Sequence, residues 1–175
     1  VLENGRYRMD FEHMRKAVRG CGMFILCNPH NPGGRVWNPE ELEQVAEICA
    51  ESGTLVISDE IHADLTLPGR RHTVFATVSE KARNNSVTYM AASKAFNVPG
   101  LASSYLICQN PALLEKYQNF VNGREMAEGH VFAYAGLISA YTEPGGEEWL
   151  RQALDYIQAV SYTHLRAHET RSKLV

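Results

Sequence analysis

The sequence predicts an α/β fold: part of a doubly wound, mostly parallel sheet with one antiparallel strand. Three observations carry that expectation. Residues 23–27, 54–58 and 86–90 are short, nearly continuous apolar runs, the pattern of strands buried on both faces. Helical periodicity separates the first two, as a crossover between parallel strands requires. A fourth run, residues 104–108, follows the third after a connection too short for a right-handed helical crossover, so it should run antiparallel.

The elements follow in order. Residues 10–18 read as a short helix with Phe11, Met14 and Val18 on one side. The strand at 23–27 runs into Asn28-Pro29-His30-Asn31-Pro32-Gly33-Gly34, a dense turn signal. The next helix is punctuated by Asn38 as N-cap, Pro39 at N1 and Glu41 at N3. Leu42, Val45, Ala46 and Cys49 form its apolar stripe, and Gly53 ends it. The strand at 54–58 leads at once to Asp59-Glu60-Ile61-His62. Residues 66–73 read as loop and 75–81 as helix. The strand at 86–90 delivers Ala91-Ala92-Ser93-Lys94 and a Pro99-Gly100 turn. Pro111 opens a helix carrying Leu113, Tyr117, Phe120 and Val121. Another covers 131–141, and Pro144-Gly145-Gly146 separates it from a last helix over 147–157.

From residue 161 the chain has no apolar stripe at either period. It resembles a peptide translated from sequencing-adapter DNA. The expected organisation is one partial domain over 1–158 and a non-native or disordered tail over 159–175.

Composition bounds the function. The chain has 175 residues, 45% hydrophobic and 21% charged, with a net charge of -3. This is ordinary for a globular domain with a sizeable core. No basic stripe points to nucleic acid, and no apolar run reaches membrane-spanning length. The chain opens on Val1-Leu2-Glu3-Asn4 with no signal-peptide pattern, and reads as one that begins within a longer protein. The four cysteines and seven histidines match neither a metal site nor a disulfide framework. Reduced cysteines, mostly packing, and a cytoplasmic location are expected.

Lys94 stands between an apolar strand and a Pro-Gly turn, where ligands meet open α/β sheets. A partly desolvated lysine there can act as an amine nucleophile. A lone Ser-Lys pair is more often a solvated loop. Two further strand ends, Asn28 to Gly34 and Asp59 to His62, deliver an amide and a carboxylate to the same edge. Amine, carboxylate and amide together suit pyridoxal 5′-phosphate (PLP): the amine joins the aldehyde and the carboxylate keeps the pyridine nitrogen protonated.

On these segments the chain resembles fold-type I PLP enzymes of the aminotransferase class I/II superfamily, and within them the cystathionine β-lyase-like carbon–sulfur lyases. The segments are Asn28-Pro-His-Asn31-Pro-Gly-Gly-Arg-Val-Trp37, Ser58-Asp59-Glu60-Ile61-His62-Ala63-Asp64-Leu65 and Ser93-Lys94-Ala-Phe-Asn97. The opening Gly5-Arg6-Tyr7-Arg8-Met9-Asp10-Phe11 and Glu147-Glu148-Trp149-Leu150 also fit. The resemblance covers residues 1–158 and implies the large PLP-binding domain, truncated.

It further implies roles. Lys94 is the amine that holds the cofactor and works as acid and base at the substrate Cα. Asp59 pairs with the pyridine nitrogen, Asn31 hydrogen-bonds the ring oxygen, and Ser93 helps to hold the phosphate. His62 stands where many aminotransferases have tyrosine; it either donates to the ring oxygen or packs in the loop. Ala91 and Ala102 stand where many members have a phosphate-binding serine and arginine, a change the lyase branch tolerates. The resemblance implies a homodimeric parent enzyme that converts L-cystathionine, or a similar amino acid, to a thiol, pyruvate and ammonia. The alternatives are a PLP-dependent aminotransferase, and an inactive fragment or regulatory binding protein. As a central fragment lacking much of the phosphate site and the substrate clamp, the chain alone is expected to be inactive and poorly soluble.

Overall fold

The computed structural model describes the backbone of residues 1–126 and 129–172, and side chains up to residue 163 apart from 127 and 128. A hairpin opens the chain, with β1 (Leu2–Glu3) antiparallel to β2 (Arg6–Tyr7). Asn4 and Gly5 turn it with φ of 49° and 73°, as a tight two-residue hairpin requires. Next come α1 (Phe11–Ala17), β3 (Met23–Cys27), α2 (Pro39–Glu51) and β4 (Leu55–Asp59). Then follow α3 (Glu80–Asn84), β5 (Ser86–Met90), α4 (Ala92–Ala95) and β6 (Tyr105–Ile107). Three helices close the described chain: α5 (Pro111–Asn122), α6 (Val131–Thr142) and α7 (Pro144–Ser172).

The main sheet has the order β3-β4-β5-β6. The first two pairings are parallel and the last is antiparallel, as the short connection into β6 requires. The expected α/β architecture is therefore present.

Local chemistry explains the main crossover. The Asn38 side chain accepts from the Glu41 backbone N–H at 2.8 Å, and the Glu41 carboxylate accepts from the Asn38 N–H at 2.9 Å. This reciprocal cap fixes where α2 starts. Gly53, at φ 67°, turns the chain out of the helix into β4. Leu42, Val45, Ile48 and Cys49 of α2 pack with Met14 of α1 and its C-cap Val18 against Leu26 and Val56. Phe75, fully buried, closes this core from the loop side.

Several expectations need correction. β3 is not buried on both faces: Met23 and Ile25 are 65% and 71% exposed. It is an edge strand, and α1 and α2 cover only the Phe24 and Leu26 side. The helix expected over 75–81 is two pieces, a 3₁₀ turn (Phe75–Thr77) and α3. Ser79 breaks them, because its side chain caps α3 by accepting from the Ala82 N–H at 3.1 Å. Gly145 and Gly146 lie in the first turn of α7 rather than in a linker.

Two outcomes follow. Leu42→Ala should destabilise the fold by about 3 kcal/mol through its cavity, and Asn38→Ala by about 1 kcal/mol through the lost cap; denaturant unfolding gives the order. Burial pushes the Cys49 thiol up to about 11, so it stays protonated and unreactive at neutral pH. Thiol titration of native protein should therefore label Cys21 early and Cys49 only on unfolding.

Candidate active site

The parallel register puts three strand ends side by side. Cys27 pairs with Asp59, and Asp59 with Tyr89. The ladder continues one step further. The Asn28 N–H donates to the Asp59 carbonyl at 3.0 Å, and the Glu60 N–H to the Tyr89 carbonyl at 2.9 Å. Asp59 ends β4 itself, and the turns that leave the three strands carry Asn31, His62, and Ser93 with Lys94. They share one edge of the sheet, the place where open α/β sheets bind ligands.

The first turn is rigidly closed. Asn28 is fully buried; its Oδ1 accepts from the Trp37 N–H at 3.3 Å, and its Nδ2 donates to the Thr73 carbonyl at 3.1 Å. Trp37 Nε1 donates to the Cys27 carbonyl at 3.0 Å. Arg35 reaches both Glu41 carboxylate oxygens at 2.9 Å and lies over the Trp37 ring. Gly33 is required here: a Cβ would come within 2.3 Å of His30 Nδ1. Asn31 itself is exposed, with its N–H on the Cys27 sulfur at 3.4 Å.

At the second end, the half-buried Asp59 accepts the Ile61 N–H at 3.3 Å, its only hydrogen bond among the described residues, which leaves its other oxygen for a ligand. His62 precedes a 3₁₀ turn (Ala63–Leu65), and its Nδ1 is buried without a partner among the described residues. An orphaned ring nitrogen is a group that a ligand oxygen can satisfy.

At the third end, α4 packs against that same turn. Ser93 is buried, whereas Lys94 projects into solvent. The desolvation expected around Lys94 is thus missing in this chain. Phe96 meets Tyr141 edge-on at 5.4 Å and stacks on Trp149 at 6.1 Å. The Tyr141 hydroxyl donates to Asp64 Oδ2 at 2.6 Å. In this way α6 and α7 brace both the lysine turn and the turn after Asp59. Ala102 has a left-handed backbone, φ 46°, where many superfamily members carry arginine.

The five expected residues are gathered on one edge, yet among the described residues no hydrogen bond or ion pair joins any two of them. They form an open set of donors and acceptors. Sequence reasoning missed the pairing of Glu60, the residue after Asp59, with His72. Glu60 is fully buried; its Oε1 accepts from Ser58 Oγ at 2.8 Å and the Phe75 N–H at 2.9 Å. Its Oε2 stands 2.6 Å from His72 Nε2. The available signal was a carboxylate placed straight after a buried strand, where it needs partners.

Comparison with known proteins agrees with this geometry. The chain is 38% identical over 158 residues to a cystathionine β-lyase, PatB, of Bacillus subtilis, covering 89% of this chain and 40% of that one. It is 34% identical to a cystathionine β-lyase of Corynebacterium glutamicum, over 87% of this chain and 40% of that one. The PLP-bound C–S lyase of Staphylococcus hominis superposes with a TM-score of 0.84 at 33% identity, over 95% of this chain and 41% of that one. The chain thus spans about two fifths of the length of these relatives. The family model for aminotransferase class I and II matches residues 2–168, and the chain belongs to that family.

Proposed function

We propose that an enzyme of full family length carrying this chain is a PLP-dependent carbon–sulfur β-lyase. Its substrate is an L-amino acid with a sulfur leaving group, such as L-cystathionine, and its products are a thiol, pyruvate and ammonia. The observation that carries this reading is the common edge to which β3, β4 and β5 deliver Asn31, Asp59 and Lys94. The donor set fits the cofactor: an amine for the aldehyde, a carboxylate for the pyridine nitrogen, an amide and the unpartnered His62 nitrogen for the ring oxygen, and the Ser93 hydroxyl for the phosphate. Bound there, the cofactor supplies an electron-accepting ring beside the substrate Cα.

The residues do the rest. Asp59 puts negative charge beside the pyridine nitrogen and holds its proton. Lys94 anchors the cofactor and then takes the Cα proton. The Cβ–S bonding pair leaves with sulfur, which is released as thiol, and the remaining aminoacrylate hydrolyses to pyruvate and ammonia. The lyase names of the relatives favour elimination, and so do Ala91 and Ala102. The reading includes a cytoplasmic homodimer. Residues 1–158 form part of its cofactor-binding domain, with 159–175 outside it.

The reaction type is tested by incubating the family-length enzyme with cystathionine and no keto acid. Pyruvate should appear in step with the thiol. Turnover that begins only when a keto acid is added would instead establish a transaminase. Lys94→Ala should lower elimination by about 10³-fold or more, and Asp59→Asn by roughly 10²-fold.

A further inference from the structure

We infer that Glu60 and His72 form a buried latch that sets the position of Asp59, which makes them positioning residues for the reaction. The inference rests on the proposed function. It begins with a carboxylate that has no contact with water. Glu60 is fully buried, and such a group is tolerated only with close donors. It has three: Ser58 Oγ, the Phe75 N–H and His72 Nε2. His72 is itself only 10% exposed at its side chain, and its Nδ1 has no partner among the described residues. Among those residues the imidazole makes one hydrogen bond, to Glu60.

The latch joins parts of the chain that are otherwise separate. Glu60 is tied through its backbone to β5, by its N–H on the Tyr89 carbonyl, and its carbonyl accepts the Ala63 N–H at 2.9 Å. Its side chain grips residues 72 and 75 of the loop that follows. Asn28 grips the same loop at Thr73. Two fully buried polar side chains, one after β3 and one after β4, thus close on a single four-residue stretch.

Asp59 needs such support. Among the described residues its carboxylate is held only by the long Ile61 contact, so its direction is set by the backbone that carries it. Side chains alternate across a strand, so Ser58 and Asp59 face opposite sides of the sheet. Glu60 takes the Ser58 hydroxyl on the face opposite to Asp59. Any swing of the 59–60 peptide that moved the Asp59 carboxylate would pull Glu60 Oε1 and Oε2 from all three donors. A group misplaced by about 1 Å loses roughly 10²-fold in rate.

The test uses the family-length enzyme at saturating PLP, with variants that alter the latch and leave the reacting groups intact. His72→Met removes the donor to Glu60, His72→Gln keeps an amide donor there, and Ser58→Ala removes one hydroxyl. Measured are kcat and KM for elimination, the absorbance spectrum of the bound cofactor, and the fraction of folded protein. His72→Met should lower kcat per bound cofactor about tenfold or more, with KM little changed and the absorbance maximum shifted as the charge beside the pyridine nitrogen moves. His72→Gln should restore most of the loss, and Ser58→Ala should show a smaller fall of the same kind. If His72→Met does not fold, the Ser58→Ala result decides. Unchanged kcat and spectrum per folded, loaded molecule would overturn the latch and reduce the pair to a fold staple. Failure of the unchanged enzyme to bind PLP or to eliminate would instead refute the proposed function.

Discussion

Two backbone hydrogen bonds carry this molecule: Asn28 N–H to the Asp59 carbonyl and Glu60 N–H to the Tyr89 carbonyl. They extend the parallel ladder of β3, β4 and β5 just beyond the strands. Parallel pairing keeps all three carboxyl ends at one edge, so the turns leaving them must be neighbours. Without that register an amide, a carboxylate and an amine far apart in sequence would have no reason to meet. The Asn38 cap, the Leu42 to Cys49 stripe and the Phe75 plug serve it by holding the crossover against the sheet.

Order and exposure divide unevenly around that edge. Behind it, Asn28, Ser58 and Glu60 are fully buried and hydrogen-bonded. In front, Asn31 and Lys94 are exposed and Asp59 keeps an uncommitted oxygen. A site that must accept a polar ligand requires this combination, since spare donors and acceptors are useful only when their supports are fixed. The same asymmetry marks the chain's edges. Met23 and Ile25 on β3, and Val131, Phe132 and Ile138 on α6, are large apolar side chains left exposed in a chain about two fifths as long as its relatives.

Much of this was legible in the sequence. The strands announced themselves as apolar runs, α2 by its cap and stripe, and β6 as antiparallel by the length of its connection. The candidate residues were readable because each sits in a polar segment directly after a strand. What escaped was non-local. Exposure of Met23 and Ile25 depends on what lies over β3, and a run of apolar residues does not encode its neighbours. Glu60 and His72 are joined across an irregular loop that has no periodicity to read. The break at Ser79 and the Asn4-Gly5 hairpin were local, and their capping and turn signals were present but outweighed by neighbouring patterns.

The central claim is that the amine at the end of β5 is the one that holds the cofactor. Its most direct measurement is borohydride reduction of the family-length protein with PLP, followed by digestion and mass mapping of the phosphopyridoxyl group. The account predicts one label per chain, on the peptide containing Lys94. Labelling spread over Lys16, Lys81 and Lys116, or a single label on any of them, would contradict it.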